Sequence, residues 1–82
     1  MATGTTNVTT RVEWASKTSE QIDAINTEIA AMTTSGKFIS RTNTVADGHD
    51  VIISVWKDTA AANEYLTFIN ALSPAPVSAA II

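Results

Sequence analysis

The run Val51-Ile52-Ile53-Ser54-Val55-Trp56 is apolar at odd and even positions alike. Successive strand side chains point to opposite faces, so a segment of this kind has to be covered on both and belongs inside a sheet. Just upstream, Asp47-Gly48 supplies the residue pair of a two-residue hairpin turn. The stretch before it, Lys37 to Val45, is extended, Thr-rich and polar on both faces, as suits an edge strand. The two segments therefore pair antiparallel. With Asp47 and Gly48 as the turn, Ile39 faces Trp56, Arg41 faces Ser54 and Asn43 faces Ile52 on one side of the hairpin.

Periodicity places the remaining elements. Val8, Thr10, Val12 and Trp14 alternate with Thr9, Arg11 and Glu13, which predicts a first strand. Thr18 and Gln21 form a capping box, and Glu20 and Asp23 add negative charge near the positive end of a helix dipole. Ile22, Ile25, Ile29 and Met32 recur at spacings of three and four, so a helix runs over Ser19 to Thr34, and Gly36 suits the left-handed residue that closes it. Asp58 caps a second helix whose inward stripe is Ala62, Tyr65, Leu66, Ile69 and Leu72, and Ser73-Pro74-Ala75-Pro76 ends it. Val77 to Ile82 reads as a short final strand, or as a segment reaching into a neighbouring protomer. The small polar residues 1–6 read as a flexible leader and residues 7–82 as one domain.

Size then limits what such a domain does alone. For 82 residues the scaling laws give a folded surface of about 4,700 Å² against about 12,600 Å² unfolded. Apolar burial on the order of 120 kcal/mol is then cancelled by ordering entropy of about 1.5 kcal/mol per residue. Small scaffolds escape this balance by disulfides, metal sites or association. This chain has no cysteine and one histidine, so self-association is expected.

Charge and composition exclude several classes. With 5 basic and 8 acidic residues, a net charge of −3 and no basic stripe, nucleic acid is not an expected partner. Apolar runs are too short to span a bilayer and the N-terminus lacks a signal-peptide core, so a cytoplasmic location and no membrane partner are expected. Asn7-Val8-Thr9 fits a glycosylation acceptor, a pattern that chance supplies often. No metal and no cofactor are expected: Asp47 and Asp50 lack calcium-loop spacing, and the three glycines, Gly4, Gly36 and Gly48, form no phosphate loop. His49, the one group titrating near neutrality, falls beside the turn and reads as a turn residue rather than a general base. No catalytic residue is assigned.

The element order β-α-β-β-α-β with right-handed crossovers predicts an α+β, ferredoxin-like fold: a four-stranded antiparallel sheet with two helices on one face. The run from Val51 to Phe68, a central strand ending in Trp-Lys-Asp followed by an Ala-rich helix with Tyr65-Leu66, resembles the dimeric α+β barrel superfamily, and within it the antibiotic-biosynthesis monooxygenase-like group. That resemblance implies two protomers packed sheet against sheet. In the enzymes of the group it also implies a pocket between helices and sheet, for which Trp14 and Tyr65 are the candidates here. The haem degraders among them use an Asn, Trp and His constellation, and no histidine falls on either predicted helix of this chain.

On the hairpin alone, Phe38, Val51, Ile53 and Val55 form the more uniformly apolar face and are expected under the helices with Val8, Val12 and Trp14. The other face then carries Ile39, Ile52 and Trp56 beside Arg11, Glu13, Arg41 and Asn43, and reads as an interface or ligand face. Trp56 would be its anchor, or else a half-exposed tryptophan at a strand end. Arg11, Glu13 and Arg41 would form an ion-pair cluster across it, or a solvated rim. These readings lead to a homodimeric, non-catalytic binding or interaction module that uses its sheet face and has room for a small apolar ligand. The alternative is a small cofactor-independent oxygenase or isomerase acting on an apolar or aromatic molecule.

Overall fold

A computed structural model describes residues 7–82; the leader expected over residues 1–6 lies outside the described residues. In chain order the elements are β1 (Val8–Trp14), α1 (Ser19–Thr34), β2 (Phe38–Ala46), β3 (His49–Trp56), α2 (Thr59–Asn70) and β4 (Ser78–Ile81). The strands form one sheet in the order β2-β3-β1-β4, with every neighbouring pair antiparallel. This is the ferredoxin-like α+β arrangement, with β3 and β1 in the middle.

Local chemistry sets the boundaries. The Thr18 hydroxyl accepts from the Gln21 N–H at 3.1 Å, and the Gln21 side-chain oxygen accepts from the Thr18 N–H at 2.9 Å, which closes the capping box. The same Gln21 donates through Nε2 to the Pro74 carbonyl at 2.6 Å, tying the start of α1 to the turn that follows α2. Asp58 caps α2 through the Ala61 N–H at 2.8 Å. In the hairpin turn Asp47 and Gly48 both have positive φ, 54° and 78°, the mirror-image turn that matches strand twist.

The layering corrects the expected faces. In β1–β3 pairing Val8 opposes Trp56, Thr10 opposes Ser54, and Val12 opposes Ile52; directly opposed residues share a face. Val12 and Trp14 are therefore on the same side as Ile52 and Trp56, and these four form one buried cluster with Ile25 and Met32 of α1 and Ala61, Ala62, Tyr65 and Ile69 of α2. Both helices lie on this side. Trp56 is fully buried, and its ring meets Tyr65 at 4.6 Å and the edge of Phe38 at 5.4 Å. Its indole N–H donates to the Thr10 hydroxyl at 2.9 Å, so the polar handle of the tryptophan is satisfied inside the core.

Trp56 and Ile52 are thus core residues, and Val51, Ile53 and Val55 turn to the helix-free face. The reason is volume: the two tryptophans and the tyrosine need one shared layer, and the even-numbered residues of β1 and β3 bring them together. The hairpin pairs as expected at Arg41–Ser54 and Asn43–Ile52, but a register shift between Phe38 and Ser40 puts Phe38 opposite Trp56. Ile39 is the extra residue of that bulge, does not face Trp56, and is 47% exposed.

Candidate functional site

Two surfaces carry chemistry, one on each side of the sheet. The helix-free face is built in rows across the strands. Thr42, Ile53, Arg11 and Ala80 make one row; Thr44, Val51, Glu13 and Ser78 make the next. Val51, Ile53 and Val55 form an apolar stripe down β3, with Val51 buried and the other two half-buried, flanked by threonines and charges.

Beside Val51 lies an ion cluster. Glu13 Oε1 accepts from Arg11 Nη1 at 3.2 Å, and Glu13 Oε2 meets His49 Nδ1 at 2.5 Å. The expected cluster is corrected in its third member. Arg41 points to the helix side with Ser54, and His49 takes its place. His49 is also the first residue of β3, and not only a turn residue, because the hairpin ladder extends to the Ala46–His49 pair. The hydrogen bond from His49 holds the Glu13 carboxyl below its ordinary value; partial desolvation opposes this and Arg11 adds to it.

On the helix side, β2 runs past the cover that the helices provide. Only Phe38 among its nine residues is not exposed. Between α1 and this bare part of the hairpin is a cleft of about 300 Å³. Ile22 and Ile25 of α1 and Ile52 of β3 supply its apolar wall, while Lys17, Asn26, Arg41, Asn43 and Asp50 supply its polar rim. Lys17 Nζ pairs with Asp50 Oδ2 at 3.6 Å and sits 5.8 Å from the Trp14 ring centroid, with its side chain only 13% exposed. Arg41, Asn26 and Asn43 have no side-chain hydrogen bond or ion pair among the described residues.

Of the residues expected to share one interface or ligand face, Arg41, Asn43 and Ile52 do meet, in this cleft. Arg11 and Glu13 are on the opposite side of the sheet, Trp56 is in the core and Ile39 is at the bulge. Trp14 and Tyr65 do not line the cleft either; both are buried in the core, at 1% and 0% exposure. Trp14 Nε1, the Tyr65 hydroxyl and Ser54 Oγ are buried without a hydrogen-bond partner among the described residues. Burial pushes the Tyr65 hydroxyl up to about 12, against a smaller downward pull from Arg41 and with a further upward push from Glu28.

Lys17, Ile22, Ile25, Asn26 and Asp50 could not be grouped from sequence spacing, since they meet only once α1 is laid over the hairpin. His49 was hidden for a related reason: its partner Glu13 is fixed by the β1–β3 register, which no local turn encodes. Among the described residues no group of three or more His, Cys, Asp or Glu side chains could hold a metal ion, and no helix is long and apolar enough to cross a membrane. Comparison with known protein families, with curated proteins and with solved structures finds no match.

Two titrations check this electrostatic account. A carboxylate held low in the folded state contributes stability above its unfolded value, and that contribution is lost as pH falls through the folded one. Urea midpoints should therefore fall more for the wild type than for Glu13→Gln as pH drops below 4.5, the ordinary carboxyl value; parallel curves would contradict the Glu13–His49 bond. Tyr65 is the only tyrosine, and its folded-state value is raised, so its stabilising contribution is intact below 10.0 and lost as pH climbs towards 12. The tyrosinate absorbance of the folded protein should rise near 12; a midpoint at 10.0 would place Tyr65 at the surface.

Proposed function

We propose that this chain works as a homodimeric, non-catalytic interaction module whose interface is the helix-free face of its sheet. The observation that carries the reading is the Val51-Ile53-Val55 stripe. It is apolar and has no helix over it; Ile53 and Val55 are half-buried, Val51 is already covered, and the stripe is bounded by Thr9, Arg11, Glu13, Thr42 and Thr44. An apolar centre within a polar, charged margin is the anatomy of a protein interface, and it is the means by which an 82-residue domain with a marginal core gains further burial.

Support also comes from the resemblance to dimeric α+β barrels, which implies sheet-to-sheet packing of two protomers. The Arg11–Glu13–His49 cluster would lie at the edge of that contact, where charges set orientation more than affinity. An oxygenase or isomerase has less support: Trp14 and Tyr65, the residues that would line its pocket, pack inside the core. A small ligand of the module has the cleft beside α1 as its available space.

The test is the solution mass across a dilution series, for the wild type and for Ile53→Lys. The wild type should weigh as a dimer that dissociates only on dilution. Ile53→Lys should weigh as a monomer with an unchanged far-ultraviolet circular dichroism spectrum. A monomeric wild type, or a folded Ile53→Lys that remains dimeric, would contradict the assignment.

A further inference from the structure

The cleft between α1 and the hairpin lies on the opposite side of the sheet from the proposed interface, so what it holds is a separate question. Its charge differs from that of the whole chain. The protein carries −3, whereas the lining contributes Lys17 and Arg41 against Asp50, a local balance of +1. Lys17 and Asp50 neutralise each other at 3.6 Å, which leaves the Arg41 guanidinium as the uncompensated charge. Arg41, like Lys57, has no ion-pair partner among the described residues, whereas Arg11 pairs with Glu13, Lys17 with Asp50 and Lys37 with Glu64.

The rest of the cleft narrows the chemistry. Asn43 follows Arg41 two residues along β2 and shares its face, and Asn26 comes from α1, so two amides line the same cleft as the guanidinium. Behind them Ile25 and Ile52 are buried and Ile22 is 43% exposed, a large hydrophobic group left open at the mouth. At about 300 Å³ the space is at the small end of ligand pockets.

We propose that this cleft binds a small organic carboxylate, with its anionic head on Arg41 and the Asn26 and Asn43 amides and its apolar body against Ile22, Ile25 and Ile52. A guanidinium presents a planar fork that matches a carboxylate, and the two amides complete its hydrogen bonding. A monoanion suits a local charge of +1, whereas a dianion such as phosphate would face Asp50 with no second free cation. The three isoleucines select a ligand with an apolar body over a bare anion.

Benzoate is the probe, and the isoleucine methyl resonances of the intact protein are the readout. Titration should shift the Ile22, Ile25 and Ile52 methyls together and saturably, with a Kd of about 1 mM or below. Benzyl alcohol, which keeps the ring and lacks the charge, should bind about tenfold or more weakly, as should inorganic phosphate, which keeps charge and lacks the ring. Arg41→Gln, at an exposed edge-strand position that leaves the core untouched, should lose benzoate affinity by a similar factor. Unmoved methyls, equal binding of benzyl alcohol or phosphate, or full affinity in Arg41→Gln would each overturn the proposal.

Discussion

The Trp56 side chain decides which way the sheet faces. Its ring is sandwiched in the layer between strands and helices, against Tyr65 of α2 and Phe38 of β2, and its indole N–H bonds to the Thr10 hydroxyl on the neighbouring strand. A buried indole without a partner would cost on the order of 1–3 kcal/mol, so the threonine inside β1 is part of what allows the tryptophan to be there. Once Trp56 points towards the helices, alternation along β3 sends Ile52 and Ser54 with it and turns Val51, Ile53 and Val55 away. Trp14, Val12 and Thr10 follow through the cross-strand register.

Two consequences for function come from this one orientation. The face without helices receives three aliphatic residues of the central strand and a charged cluster, which together form a surface suited to a second protein copy. The face with helices receives the large aromatic groups, and they fill the space above β1 and β3. The helices stop short of β2. Its helix-side residues Arg41, Asn43 and Val45 stay exposed, and the gap beside α1 becomes the cleft. The proposed interface and the proposed ligand cleft thus fall on opposite sides of a single sheet.

Much of the architecture was legible from local signals. The Thr18–Gln21 capping box, Gly36, the Asp47-Gly48 turn and the Asp58 cap each act within a few residues, and each appears where the sequence places it. The hairpin register followed from its turn up to the bulge at Ile39. What could not be read was the relation between β1 and β3, since the sixteen-residue helix α1 and the strand β2 separate them and no turn fixes their register. Ranking faces by uniform apolarity placed Val51, Ile53 and Val55 inward; the aromatic volume of Trp14, Trp56 and Tyr65 outweighs that ranking. The candidate site failed at the same link. Arg41, Asn43 and Ile52 were grouped correctly because they share one face of the hairpin; Trp56 shares that face but is buried against Phe38 and Tyr65, while Arg11 and Glu13 were added through a cross-strand relation that the chain does not adopt.

The orientation of the sheet is tested most directly by a nuclear Overhauser measurement from the ring of Tyr65, the only tyrosine in the chain. With centroids 4.6 Å apart, the tyrosine ring should show strong cross-peaks to the Trp56 indole. Cross-peaks from that ring to the methyl groups of Ile53 and Val55, with none to Trp56, would mean that the other face lies beneath the helices and would overturn both the interface and the cleft.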